Sequence, residues 1–258
     1  MAVLQRNGSL RHAAAAPHRG LVEVATLASL YGVYEVVRGR GHATLAAARA
    51  HTDAIVSLER DVHVFGERAV QHAMHALPAV PALLGLAYIL MHFVGTTSFV
   101  VWTYRRQREH FPFVRNTLIV ATAIALVVYV VFPAAPPRLA GLGFSDTVST
   151  GAHVNLSSNL LGSLYNPFAA VPSLHFGYAL LVGAGIVVLA RSRAARIAGA
   201  LYPFAMLFVI VATGNHFFFD AFAGGVVVIA AASVARALGG AAREPARRRH
   251  PESAVAPC

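Results

Sequence analysis

Hydrophobic residues along this chain fall into long runs that are separated by short polar segments. Five strongly apolar runs and one weaker run near the N-terminus are predicted to be helices. They cover Leu21 to Val37, Val80 to Trp102, Thr117 to Phe132, Leu174 to Ala190, Ala198 to Ala212 and Phe217 to Leu238. A helix needs about 20 apolar residues to cross a bilayer. The pattern therefore predicts an all-α, polytopic membrane helical bundle with about six transmembrane helices.

A different pattern lies between the first two runs, from Ala43 to Ala76. Acids and arginines alternate there with apolar residues at helical spacing, namely Ile55, Leu58, Val62, Phe65 and Ala69. This predicts an amphipathic helix that lies at the membrane interface or packs on the bundle. We thus expect an N-terminal region over residues 1–78, a membrane domain over 79–240, and a disordered basic tail over 241–258.

Composition supports the membrane assignment and explains the charge. Hydrophobic residues make up 57% of the 258 residues and charged residues only 12%, with a net charge of +10. The basic residues are all arginines, and they cluster in the segments after the second, fourth and sixth runs. Positive loops stay on the cytoplasmic side, so the charge predicts topology and not nucleic-acid binding. We expect a multi-pass protein of the cell membrane with a cytoplasmic C-terminus.

This topology brings three polar segments to the extracytoplasmic side. They are the end of the third run (Ala135 to Arg138), the start of the fourth (Pro172 to His175) and the turn between the fifth and sixth (Gly214 to Asp220). A spacing of four residues places His216 and Asp220 on one helical face, where a carboxylate can hold an imidazole. A histidine held in this way is suited to act as a nucleophile.

Each segment also has a purely structural interpretation. His216 and Asp220 can be a buried packing pair, since ion pairs occur for that reason as well. Pro172 and Ser173 can simply begin a helix, although a helix N-terminus also binds phosphate, to which His175 would offer a proton. Arg138 after two prolines can do no more than contact lipid headgroups.

Taken together, three segments resemble the type 2 phosphatidic acid phosphatase (PAP2) superfamily, and in particular its branch of inositol phosphorylceramide and sphingomyelin synthases. The segments are Ala135-Pro136-Pro137-Arg138, Tyr165-Asn166-Pro167-Phe168-Ala169-Ala170-Val171-Pro172-Ser173-Leu174-His175 and Gly214-Asn215-His216-Phe217-Phe218-Phe219-Asp220. The likeness extends over roughly residues 80 to 238. It implies a six-helix membrane bundle and phosphoryl transfer that needs no metal and no cofactor.

The resemblance also implies a role for each site residue. His216 would be the nucleophile that forms a phosphohistidine, Asp220 its partner, and His175 the acid for the leaving group. The lysine motif and the Ser-Arg pair of the phosphatase branch are lacking, with Val209 and Ile210 at the latter position. Arg138, backbone amides near Ser173, and Asn215 would then bind the phosphate, which fits the synthase-like branch better.

The substrate implied is a lipid phosphate or a phospholipid headgroup, with water or an alcohol such as inositol as the acceptor. The loop from Leu139 to Tyr165 either covers the site and binds that acceptor or has no role in it. His72 and His75 lack a third ligand, so no metal site is assigned; they, His51, His63 and His92 are assigned to surface or packing. Beyond membrane lipids, no partner is predicted. A non-catalytic membrane scaffold and a transporter remain the alternatives to an enzyme.

Overall fold

The computed structural model describes residues 20–26, 28, 29, 32, 43–151 and 167–241. From residue 43 onward, the described helices are α1 (Leu45–Asp61), α2 (Glu67–His75), α3 (Val80–Leu90), α4 (Thr96–Arg106), α5 (Phe111–Val131), α6 (Thr147–Gly151), α7 (Leu174–Leu189), α8 (Arg193–Ala212) and α9 (Phe218–Ala241). A π-helical turn, Met91–Gly95, joins α3 to α4, and a short 3-10 turn, Pro137–Leu139, follows α5. No strand occurs among these residues; the fold is an all-α membrane bundle.

Four helical stretches in the described part of the chain are long and apolar enough to cross a membrane. They are Val80–Arg106, Phe111–Val131, Arg193–Ala212 and Phe218–Gly239, while Leu174–Leu189 is apolar but shorter. Large apolar side chains on the outer faces, such as Val188, Phe204 and Phe222, are each at least 68% exposed, as lipid contact requires. Nearly half of the predicted Leu21 to Val37 helix, including residues 33–37, lies outside the described residues, so the number six stays a prediction.

Close helix packing carries the polar segments to one end of the bundle. Helix α7 packs against α8 and α9, and α9 packs against α5. At the crossing of α7 and α9, a methyl group on Gly224 would overlap the carbonyl group of Ser173. Small residues let helix backbones approach in this way, and here the approach sets the start of α7 beside the start of α9.

The prediction of one amphipathic helix from Ala43 to Ala76 is wrong. It forms two helices, α1 and α2, because the chain turns at His63, which adopts a φ of 59°. The buried face also differs from the expected one: Leu58 and Val62 are 46% and 57% exposed, whereas Ile55, Val56 and Glu59 are buried. Both helices pack on the bundle at the end that carries the polar segments.

Two loops complete this end of the molecule. The Ala134 N–H donates to Phe168 O at 2.8 Å, and Ala134 forms an isolated parallel bridge with Ala169. The Arg138 N–H donates to Gly214 O at 3.0 Å, which ties the first loop to the turn between α8 and α9. A buried cluster holds the loops against α1, formed by Ile55, Val56, Ala134, Ala140, Ala170, Val171 and Phe217.

Candidate active site

The turn between α8 and α9 carries the histidine and aspartate that the sequence singled out. His216 is 5% exposed and Asp220 is fully buried. His216 Nδ1 lies 3.2 Å from Asp220 Oδ2, and the same oxygen accepts a hydrogen bond of 2.9 Å from the Phe217 N–H. This contact favours the proton on Nδ1, which leaves the lone pair of Nε2 available for attack.

Two features of the surroundings keep His216 neutral. Burial and, to a smaller extent, the positive charge of Arg138 lower the pKa of His216 to about 3, against the opposing effect of a hydrogen bond with the backbone of Ala170. An imidazole must be neutral to act as a nucleophile. The site therefore holds His216 in the reactive form at neutral pH.

The turn itself has a shape that glycine permits. Gly214 adopts a φ of 68°, a conformation that residues with a Cβ rarely take. A Cβ at this position would also lie 2.5 Å from Gln71 Nε2 and 3.0 Å from Ser145 O. Gln71 on α2 in turn holds the loop before α6, because its Oε1 accepts from the Ser145 N–H at 2.9 Å and its Nε2 donates to Ser145 O at 3.0 Å.

His175 comes to the same place from the first turn of α7. Its ring centroid lies 5.5 Å from that of His216. In a near-attack geometry the attacking atom lies about 3 to 3.5 Å from phosphorus, so the two rings are close enough to act on the same phosphoryl group. The structure thus brings together the three side chains that the sequence predicted as catalytic.

Ser173 begins α7 as a helix cap. Its Oγ accepts a hydrogen bond of 3.4 Å from the Phe176 N–H, its own N–H donates to Asp220 O at 2.9 Å, and the residue is fully buried. The side chain is therefore engaged in capping. A phosphate contact of the predicted kind would be made by the backbone of this helix start.

The two other expected phosphate ligands contact each other. An Arg138 Nη1 donates to Asn215 Oδ1, and Arg138 Nε lies 3.6 Å from Asp146 Oδ2. Asn215 Nδ2 donates to Thr213 Oγ1 at 2.8 Å, so its amide is oriented with the oxygen toward Arg138. The side chain of Arg138 is 6% exposed. It places a positive charge beside His216, where the charge of a phosphoryl group would develop.

A stack of aromatic rings behind His175 was missed at the sequence level. His92 was assigned to packing, yet its ring centroid lies 4.0 Å from that of His175, and Tyr88 stacks on His175 at 4.2 Å. His92 belongs to the π-helical turn, a feature that is frequent at functional sites. The signal was present in the sequence, because an ionisable residue inside an apolar span is a functional candidate by default.

Two carboxyl groups were also missed. Glu59 of α1 and Glu67 of α2 are buried and hydrogen-bonded to the first turn of α9. The available signal was the position of Glu59 on the apolar face of α1, four residues after Ile55. Of the loop from Leu139 to Tyr165, residues 152–165 lie outside the described residues.

These features define a class of protein: a membrane helical bundle with a buried His–Asp pair, a second histidine and an arginine at one end. The chain matches the model of the PAP2 superfamily over residues 53–234. It belongs to the PAP2 superfamily. The match begins inside the region predicted to precede the membrane domain, where α1 and α2 lie. No curated protein matches the chain, and no solved structure matches it either.

Proposed function

We propose that this protein is a membrane enzyme that transfers the phosphoryl group of a lipid phosphate, or the headgroup phosphate of a phospholipid, through a covalent intermediate on His216. Membership of the PAP2 superfamily supports phosphatase or phosphotransferase chemistry in general. The single observation that carries the finer proposal is the pair of His216 and Asp220, 3.2 Å apart, with the His175 ring 5.5 Å from His216.

In the first step, the lone pair of His216 Nε2 attacks phosphorus and the bond from phosphorus to the departing lipid oxygen breaks. His175 gives its proton to that oxygen, which lets an alcohol leave near neutral pH. Asp220 holds the Nδ1 proton and stabilises the positive charge on the imidazole. Arg138 balances the charge on the phosphoryl oxygens in a partly dry site, where such a contact is stronger than in water.

In the second step, an acceptor hydroxyl attacks the phosphohistidine. His175, now without its proton, takes the proton of the acceptor, and the nitrogen–phosphorus bond breaks to regenerate neutral His216. Water as the acceptor makes a phosphatase, and an alcohol makes a transferase. By the distribution of arginines, the site faces the extracytoplasmic side.

A second candidate function is transfer to inositol or another alcohol, as in the synthase-like branch. The observation that favours it is the pair Val209 and Ile210. These residues are 5% and 0% exposed and lie in the apolar core, so the position offers no side chain that binds phosphate. A site with less positive charge suits a phosphodiester, which carries one negative charge fewer than a phosphomonoester at neutral pH.

The test is phosphate release from a panel of lipid phosphates and prenyl diphosphates by the purified protein in detergent with EDTA. We expect release that survives the chelator and falls at least about a thousandfold in His216→Ala. His110→Ala, at the opposite end of the bundle, is the matched control and should retain activity. A labelled phosphoenzyme should form in the wild type and be labile to acid but stable to alkali.

Activity in His216→Ala close to that of the control would overturn the covalent mechanism. If a folded wild-type protein releases no phosphate, the next assay uses phospholipid donors with inositol, and product there identifies the transferase. A lack of turnover in both assays would favour a non-catalytic member of the superfamily.

A further inference from the structure

The start of α9, directly after His216, lacks a cap of its own. The first N–H groups of a helix have no partner inside the helix, and the residue before the helix usually accepts one of them through a Ser, Thr, Asp or Asn side chain. That position is held by Phe217, a hydrocarbon side chain that is fully buried in the apolar cluster against α1. Partners for these amides have to come from elsewhere.

Three carboxyl groups supply them, one for each successive amide. Asp220, three residues on, reaches back to the Phe217 N–H at 2.9 Å, which is half of a capping box. The Phe218 N–H donates to Glu67 Oε1 at 2.9 Å, and the Phe219 N–H donates to Glu59 Oε1 at 2.6 Å. The last two acids lie 151 and 160 residues earlier in the chain.

The burial of Glu59 and Glu67 indicates that their task is more than packing. Glu59 is 2% exposed and Glu67 is fully buried, and unpaired carboxylates at such positions are costly. Burial and the neighbouring carboxyl group of Glu67 raise the pKa of Glu59 to about 8, against the opposing effect of the Phe219 N–H. One proton is therefore kept at neutral pH, with Glu59 uncharged beside Glu67.

These carboxyl groups do not form a metal site. Among the described residues, no group of three His, Cys, Asp or Glu side chains is placed to hold a metal ion. Glu67 uses both of its oxygens on backbone amides, since Oε2 accepts from the Gly66 N–H at 3.0 Å. Their hydrogen bonds converge on the turn that carries His216.

We propose that Glu59 and Glu67 are positioning residues for the nucleophile: by fixing the first turn of α9, they hold His216 and Asp220 in the geometry required for attack. This inference rests on the proposed function of His216. The carboxyl groups touch neither substrate nor the reacting atoms, and act through the backbone of Phe218 and Phe219. Because they occupy the amides at the start of α9, the phosphate binds on the α7 side of the site.

Four variants test this role. Glu59→Ala and Glu67→Ala remove the acceptors, whereas Glu59→Gln retains an oxygen for the Phe219 N–H and matches the uncharged form of the acid. Asp61→Asn, an exposed acid at the end of α1, is the control. Hydrogen–deuterium exchange in detergent follows the amides of Phe217 to Phe219, and steady-state kinetics separates kcat from KM on the lipid phosphate that the wild type hydrolyses.

We expect both alanine variants to exchange these amides faster and to lose about tenfold to a hundredfold in kcat, with KM within about twofold, because a small misplacement of a reacting group has this effect. Glu59→Gln should recover most of the kcat lost in Glu59→Ala, and Asp61→Asn should behave as the wild type.

Unchanged exchange of the amides in both alanine variants would overturn the proposal. So would a kcat within about threefold of the control, or a loss that appears only in KM. If the wild type neither releases phosphate from any substrate nor transfers a phospholipid headgroup to inositol, the proposed function fails, and amide exchange alone still decides whether the two carboxyl groups hold the turn.

Discussion

Two helices begin at the site, α7 and α9, and they are capped in opposite ways. Helix α7 is capped from within its own segment, since Ser173 Oγ accepts from the Phe176 N–H three residues later. Helix α9 begins at a phenylalanine and depends on Glu59 and Glu67 from helices near the start of the chain. The start of α7 is capped by its own segment alone, whereas the start of α9 has one local acceptor, Asp220, and two remote ones that are in place only in the assembled bundle.

The difference matches the two chemical roles. The start of α7 presents His175 and backbone groups, whose proposed roles are to donate a proton and to bind phosphate. The start of α9 presents His216, whose Nδ1 lies 3.2 Å from Asp220 Oδ2 and has to stay there in the proposed attack of Nε2 on phosphorus. The more demanding geometry is thus the one that is fixed by the greater number of buried hydrogen bonds.

The largest loss of activity is expected from Asp220→Asn, which changes the contacts of His216 at the start of α9. Asp220 Oδ2 serves both the Phe217 N–H and His216 Nδ1, and a neutral amide lacks the negative charge that holds this tautomer of His216 and stabilises its charged form. Loss of the correct tautomer should lower kcat by about 10²- to 10⁴-fold. Phosphate release under saturating substrate measures it, with the exposed Asp53→Asn of α1 as control. Activity within tenfold of that control would contradict the assigned role.

A somewhat smaller loss of activity is expected from His175→Gln, which removes the proposed general acid from the first turn of α7. A general acid contributes about 10²-fold or more when the leaving group is an alkoxide. The same variant should lose little on an aryl phosphate such as p-nitrophenyl phosphate, because that leaving group departs without a proton. Comparing the two substrates sharpens the contrast between the helices; an equal loss on both would show that His175 does not act as the acid.

Ser173→Ala should have a modest effect, mainly on stability. Removal of a serine cap costs about 1 kcal/mol, and the expected phosphate contact is made by the backbone, which the substitution leaves in place. Thermal unfolding in detergent and kcat on the same preparation measure both quantities. A loss of activity beyond about a hundredfold with normal stability would instead make the hydroxyl a substrate ligand.

The smallest expected effect is a change with pH in the free energy of unfolding, caused by Glu59 at the start of α9. Glu59 has a pKa of about 8 in the folded protein against 4.5 ordinarily, so between these values the folded state keeps a proton that the unfolded state has released. Stability contributed by this proton is present below about pH 4.5 and is lost as pH rises through about 8. Glu59→Gln does not titrate, so its unfolding temperature should rise relative to the wild type over this range. A constant difference would contradict the shifted pKa.

The sequence predicted well what depends on local pattern. Apolar runs predicted α3 with α4, α5, α7, α8 and α9 to within a few residues at most ends, because the bilayer demands an unbroken hydrophobic stretch; the short helix α6 lies in a segment that was predicted as a loop. The main exception is α5, which begins at Phe111, six residues before the predicted Thr117. Alternation of the membrane spans then predicted that His175, His216 and Asp220 meet at one end.

What the sequence did not reveal depends on contacts between distant segments. The partners of Glu59 and Glu67 could not be read from the sequence, because they are backbone amides of a distant segment, which carry no sequence signal; only the position of Glu59 four residues after Ile55 set it apart from the other acids. The turn at His63, which splits the amphipathic segment in two, follows from a backbone conformation that is uncommon for histidine. His92 was assigned to surface or packing because it has no metal-ligand spacing, although its position inside an apolar span was a signal; its contact with His175 depends on how the helices pack.

The remote cap of α9 has a consequence for how the protein is made. The nucleophile is synthesised about 150 residues after the two acids that hold its turn, and domains form as the chain emerges from the ribosome, with N-terminal parts first. A nascent chain that has inserted only its early spans carries both acids before their amide partners have been made. Formation of the complete site therefore follows the synthesis of α9, well after α1 and α2 have been made.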